Sequence, residues 1–215
     1  MSNCKVIGEL ASLVNNVEQS NQFFNIAFQR LNTLFQMDVN KTRPDILITW
    51  GELIQAQAEY QFRTMGVIVP MAFNTAISKV SEALLSEYVE PVEGLCSRGD
   101  MYYSQSNCEL EHFKKVGSME GVNPDTIAQH LLEKLEKAEK DYKTALELEP
   151  DFPSIISSLG DVYLLRYRIL QNPDLLRNAI TYYQKSMSIP FKKYEDPDTL
   201  YNLACAESLL GNQVV

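Results

Sequence analysis

Histidine occurs twice and tryptophan once in this chain of 215 residues, and cations are scarce, with 19 Lys and Arg against 28 Asp and Glu. The resulting formal charge of −9 argues against binding along a phosphate backbone, where each contact needs a positive side chain. The two histidines, His112 and His130, belong to no His-Glu-x-x-His pattern and no Cys/His set with zinc spacing, so no metal or other cofactor is expected. Glycine-rich phosphate loops and a Gly-x-Ser-x-Gly elbow are missing too. Carboxylate pairs on so acidic a chain read as solvated helix faces. The expectation is a protein that is not an enzyme.

Long apolar runs are also absent. Gly66–Phe73, the most apolar stretch, is far shorter than the roughly 20 residues that a membrane span needs. The first residues, MSNCKVIGELASLVNN, lack a sustained apolar segment and an Arg-rich character, so neither a secretory signal nor a transit peptide is expected. Four cysteines, Cys4, Cys96, Cys108 and Cys205, show no paired spacing and read as reduced, buried small hydrophobes. A soluble cytoplasmic or nuclear protein follows as an expectation, with the mitochondrion as the alternative.

What is present is helical periodicity from end to end. Val6, Leu10, Leu13 and Val17 mark one amphipathic helix, and Phe24, Phe28, Leu31 and Phe35 a second. Pro44 fits the first turn of a third. Asn123-Pro124-Asp125 supplies a capping side chain, a proline at the first helical position and an acid where the helix dipole favours it. A helix is predicted from there to about Leu148, with Glu133/Lys137, Glu136/Lys140 and Glu139/Lys143 at stabilising spacing and Pro150 closing it. The fold class is all-α.

Small residues then recur in phase. Leu159-Gly160-x-x-Tyr163 follows Ala138, Tyr142, Ala145 and Pro150, and this set resembles the tetratricopeptide (TPR) repeat, a helix–turn–helix unit of about 34 residues. Leu200–Ala204 with Leu210-Gly211-Asn212 is similar to its first helix; Leu95, Gly99 and Tyr102 form a weaker copy, and Leu47–Gly51 another. Second-helix positions are matched by Ala76, Val80 and Ala83, then by Ala179 and Tyr183, with Ser186 replacing the last alanine. Gly51, Gly99, Gly160 and Ala204 lie 48, 61 and 44 residues apart, so insertions of 14, 27 and 10 residues are expected. The longest, about residues 104–122, is expected to form a loop. The resemblance implies an irregular, right-handed TPR-like solenoid of antiparallel helix pairs over residues 41–215. Residues 1–40 would supply extra helices packed on it.

In that family the fifth and ninth positions of each first helix face a concave groove. Here the fifth positions are Ile48, Cys96, Ser157 and Tyr201, and the ninth are Glu52, Asp100, Asp161 and Cys205. Lys and Asn, which grip a partner's carboxylates in chaperone-tail clamps, are replaced by acids. The expected partner is therefore a protein or peptide with a basic segment, drawn by Glu52, Asp100 and Asp161 onto an apolar floor of Tyr103, Leu164 and Tyr201. The helix Thr199–Leu210 is a first helix without its pair, which caps the stack or docks another protein.

Two finer resemblances give the adaptor or scaffold reading its alternatives. Ala76–Val80, Ser158–Leu164 and Asp196–Thr199 leading to Leu210-Gly211-Asn212 are similar to the fungal enhancer-of-translation-termination family, which includes a dioxygenase regulator. That likeness implies a non-enzymatic adaptor near the translation machinery. Trp50-Gly51, Ala76–Lys79 and Glu82–Leu85 are similar to the plant-type mitochondrial import receptor, which binds basic amphipathic presequences. A structural subunit of a large mitochondrial or ribosome-associated assembly is the third class.

Overall fold

A computed structural model describes residues 17–37, 43–116, 123–190 and 197–211. Among them are eight helices: α1 (Val17–Met37), α2 (Pro44–Met65), α3 (Pro70–Ala83), α4 (Pro91–Val116), α5 (Pro124–Leu148), α6 (Pro153–Leu170), α7 (Pro173–Ser188) and α8 (Pro197–Gly211). The described residues form no strand. The expected helix from Val6 lies, Val17 apart, outside the described residues.

Proline placement explains where the helices begin. Of nine prolines, seven are the first residue of a helix, where the missing N–H costs nothing and φ is already helical. The backbone N–H groups of Asp125 and Asp174 donate to Asn123 and Asn172 Oδ1 at 2.9 and 3.0 Å, so the same Asn-Pro-Asp device opens α5 and α7. Two helices end in left-handed residues, Gly66 (φ 68°) after α2 and Gln171 (φ 54°) after α6. The Gln171 side chain donates to the carbonyls of Tyr167 and Arg168, each at 3.3 Å, and so helps to hold a backbone conformation unusual for its type.

The expected loop at residues 104–122 is corrected over most of its length. Residues 104–116 continue α4, and residues 117–122 lie outside the described residues. The apolar period is disguised there because the helix buries polar side chains. Gln105 and Ser106 are buried; the Gln105 amide donates to Glu109 at 3.0 Å, and the Ser106 hydroxyl to the Tyr102 carbonyl at 2.9 Å. Helix length likewise takes up much of the insertion expected between Gly51 and Gly99, since α2 runs for 22 residues.

The chain divides into two compact units, Met1–Val116 and Gly117–Val215. Each holds four helices in one order of packing: first on second, second on third, third on fourth, and second beside fourth. In the first unit, Phe24, Ala27 and Leu31 of α1 pack on Ile46, Leu53 and Tyr60 of α2. Leu47 and Ile48 of α2, Ala76, Val80 and Ala83 of α3, and Met101 of α4 form the next cluster. In the second unit, Tyr167 of α6, Leu176, Ala179 and Tyr183 of α7, and Ala206 of α8 pack together.

The repeat register extends further than the sequence reading carried it. Ser20, Phe24 and Ala27 of α1 are fully buried and reproduce the small-x3-large-x2-small spacing of Ala138, Tyr142 and Ala145 in α5. Thus α1, α3, α5 and α7 are second-type helices and α2, α4, α6 and α8 first-type helices. Gly51 and Gly160 lie at the tight crossings. A methyl group on Gly51 would stand 2.7 Å from Val80 Cγ2 and 2.9 Å from the Ala76 carbonyl oxygen. On Gly160 it would stand 2.5 Å from the Tyr183 ring. The ring takes the space that a side chain at 160 would need.

Candidate functional site

The first-type helices of each unit carry the expected groove positions. On α2, Asp45, Ile48, Glu52, Gln55 and Glu59 recur at helical spacing along one face; on α4, Glu93, Cys96, Asp100 and Tyr103 do the same. Cross-links between the two helices fix these rows side by side. Ser97 Oγ donates to Glu52 Oε1 at 2.9 Å, and Gln55 Nε2 donates to Ser104 Oγ at 3.1 Å. Asp100 is exposed and Tyr103 half-buried. These bonds set Glu52 of α2 against α4, the helix that carries Asp100 and Tyr103.

At the N-terminal ends of the same two helices lies an open cavity of about 320 Å³, lined by Arg43, Pro44, Asp45, Ile48, Tyr88, Glu90 and Glu93. Three of its walls are carboxylates. Its one cation, Arg43, is paired with Asp45 at 2.7 Å. The Tyr88 ring stands 78% exposed at the rim. Of this lining the sequence reading selected Ile48 alone as a groove position. Asp45 and Glu93 were legible as residues in step with Glu52 and Asp100, whereas Tyr88 and Glu90 belong to the connection before α4, whose course depends on packing.

In the second unit the expected site residues divide differently. Asp161 Oδ1 accepts hydrogen bonds from the Tyr183 hydroxyl at 2.7 Å and from Asn202 Nδ2 at 2.8 Å, so this acid ties α6 to both α7 and α8. Ser157 Oγ and Thr199 Oγ1 share a hydrogen bond of 2.5 Å within the buried α6–α8 contact. Leu164 packs into the α6–α7–α8 cluster. Tyr201 is 70% exposed, and its phenol is pushed up from the ordinary value by a hydrogen bond with Cys205.

A charged knot between α5, α6 and α7 escaped the sequence reading. Glu139 of α5 accepts from the Tyr163 hydroxyl at 2.8 Å and from Lys143 at 2.7 Å, and it pairs with Arg166 at 2.5 Å. Tyr163 stacks on Tyr182 with 5.3 Å between centroids, and the Arg166 guanidinium lies 5.5 Å from the Tyr163 ring centre. Burial pushes the Glu139 carboxyl up, but Lys143, Tyr163 and Arg166 outweigh it and hold the group below its ordinary range. Lys143 is correspondingly pushed up by its bond to Glu139. Glu139/Lys143 was legible as a pair four residues apart; its partners on α6 were not. Elsewhere, His130 Nε2 meets Lys134 Nζ at 2.8 Å.

Cys96, Cys108 and Cys205 form no disulfide among the described residues, and burial first, then Glu59 and Glu109, pushes Cys108 up to about 12. Among the described residues no group of His, Cys, Asp and Glu has a metal-binding arrangement, and no helix is long and apolar enough to cross a membrane.

No curated protein matches the chain. Residues 128–165 match the family described as TPR repeat, a span that runs from the second turn of α5 to Leu165 of α6. It contains Ala138, Tyr142 and Ala145, then Gly160 and Tyr163, the residues whose spacing first suggested the repeat. Second-type and first-type helices alternate through both units in an all-α, TPR-like helical-repeat fold, and the matched repeat supports a role in protein–protein interaction in general.

Proposed function

We propose that this protein is a non-enzymatic adaptor whose first unit receives a basic segment of another protein along the face shared by α2 and α4. The observation that carries this reading is the cavity bounded by Asp45, Glu90 and Glu93, which continues the helix positions of Glu52 and Asp100. A Lys or Arg side chain entering it would meet carboxylates and the exposed Tyr88 ring, and the long alkyl stem would lie on Ile48. Exposed acids attract such a segment over about 8 Å at physiological ionic strength, so binding weakens as salt rises. Asp161 lies in the second unit and bonds to Tyr183 and Asn202, so it has no part in this face.

Charge reversal at two exposed acids tests the reading. Glu93→Lys with Asp100→Lys should weaken binding of an Arg/Leu amphipathic peptide at least tenfold and flatten the dependence of affinity on salt. Circular dichroism and the unfolding temperature should change little, since both side chains are exposed. Unchanged affinity in the folded double variant would remove the first-unit groove as the site. The same peptide chemistry serves the adaptor and import-receptor-like alternatives, so this experiment addresses the groove and not the compartment.

A further inference from the structure

Among the described residues every tyrosine but Tyr88 lies within a helix, and Tyr60, Tyr142, Tyr167 and Tyr183 are buried there. Tyr201, although exposed, is held in α8 and bonds Cys205. Tyr88 stands 78% exposed on the connection between α3 and α4, three residues after Leu85, which is exposed as well. Its own N–H donates to Ser86 Oγ at 3.2 Å, and the Val89 N–H donates to the Ser86 carbonyl at 3.4 Å. Both are long for hydrogen bonds of their kind, so the turn opens into an extended segment at little cost. Residues 80–97 hold no Lys or Arg. Exposed Glu87 stands one residue before Tyr88, and exposed Glu90 and Glu93 stand two and five residues after it.

We propose that Tyr88 is a phosphorylation site for a tyrosine kinase with a basic substrate groove, and that the phosphate strengthens the hold of the first unit on a basic segment. A kinase takes its substrate in extended form, which a tyrosine inside a helix offers only by unwinding. The flanking acids complement a cationic groove and repel an acidic one. In the transfer, Tyr88 Oη attacks the γ-phosphorus of a nucleoside triphosphate bound to the kinase. The new O–P bond forms as the bond from that phosphorus to the bridging β-oxygen breaks. The nucleoside diphosphate leaves, and the phenolic proton passes to a base of the kinase. The consequence for binding rests on the groove reading above. Tyr88 lines the cavity together with Arg43, Asp45, Glu90 and Glu93, one cation against three acids. A phosphate adds a charge of about −1.5 to −2 at that rim, and Arg43, in the same lining, is the cation at hand to hold it.

The full chain is incubated with magnesium ATP and a recombinant tyrosine kinase of acid-directed specificity, beside a synthetic peptide of residues 84–93, and the modified residues are mapped by mass spectrometry. Tyr88 should be modified in both. Tyr88→Phe, which keeps the ring and loses the acceptor oxygen, should remove that modification from the chain. A Tyr88 left unmodified in the folded chain overturns the site, whether or not the peptide reacts. The phosphorylated chain should bind the Arg/Leu amphipathic peptide about fivefold more tightly or better, with a steeper loss of affinity as salt rises. Equal or weaker binding after phosphorylation overturns the proposed effect. The groove fails on charge reversal in the unmodified chain, whereas this site fails on the map of modified residues, so the two failures are told apart.

Discussion

The two units solve one packing problem with different side chains. In both, the residue after the glycine of the second helix is an acid, and it accepts a hydrogen bond from the fourth helix: Glu52 from Ser97, and Asp161 from Asn202. Ser97 and Asn202 each precede the small residue of their helix, Gly99 or Ala204, by two positions. Three residues before the glycine the chemistry changes. In the first unit Ile48 lies beside Gly94, whose added methyl would be 3.6 Å from Ile48 Cδ1; in the second, Ser157 and Thr199 share a hydrogen bond. Opposite the glycine stands Val80 in one unit and Tyr183 in the other, and the tyrosine hydroxyl bonds Asp161. Repeat geometry constrains volume and spacing at these points while leaving polarity to vary, provided that each polar atom admitted has a partner.

The largest expected effects test the crossings. Gly51→Ala and Gly160→Ala should each cost about 1–3 kcal/mol in urea unfolding, with Gly51→Ala the costlier. The added methyl at 51 meets a backbone carbonyl, whereas at 160 it meets a ring. In a Tyr183→Ala background the further cost of Gly160→Ala should fall towards zero. A full cost retained there would show that the ring does not set the crossing.

Next come the bridging acids. Asp161→Ala should cost about 2–3 kcal/mol, because it removes two hydrogen bonds to a carboxylate, from Tyr183 and from Asn202. Glu52→Ala, which releases Ser97, should cost about 1 kcal/mol. Equal costs would dissolve this distinction between the units.

A smaller effect separates the units by pH. The Glu139 carboxyl is held below its ordinary 4.5, so its ionised form stabilises the fold above that pH. The contribution declines as pH falls from 4.5 through the lower folded value. Glu139→Gln should therefore lessen the slope of stability against pH below 4.5, read by denaturant midpoints across that range. An unaltered slope would exclude the knot as a source of acid sensitivity. Smallest of all, Ser157→Ala with Thr199→Val should cost little, since it removes both hydroxyls of one hydrogen bond together and imitates the apolar contact of the first unit. Either single substitution should cost more than the pair.

Legibility followed the kind of signal. Gly160, Ala138, Tyr142 and Ala145 could be placed because small and aromatic residues at fixed spacing have one common packing explanation. The start of α5 was legible in Asn123-Pro124-Asp125, and its end near Leu148 agrees with the structure. The α1 copy was harder, since serine and phenylalanine stand for alanine and tyrosine. The second half of α4 was misread because Gln105 and Ser106 are polar in sequence and buried in the fold. In the acidic ladder, spacing set Glu52, Asp100 and Asp161 in one phase, but it carried no sign that Asp161 bonds to residues 22 and 41 positions away.

By itself, the sequence determined that the chain is helical, where most helices begin, and which small residues mark close crossings. Those features arise from local dihedral preferences, capping and periodicity, all of which act within a few residues. Tertiary structure alone decided which acids remain turned to solvent and which bond across helices. Such outcomes depend on atoms distant in the chain arriving at hydrogen-bond or van der Waals range, and no spacing along one helix contains that information.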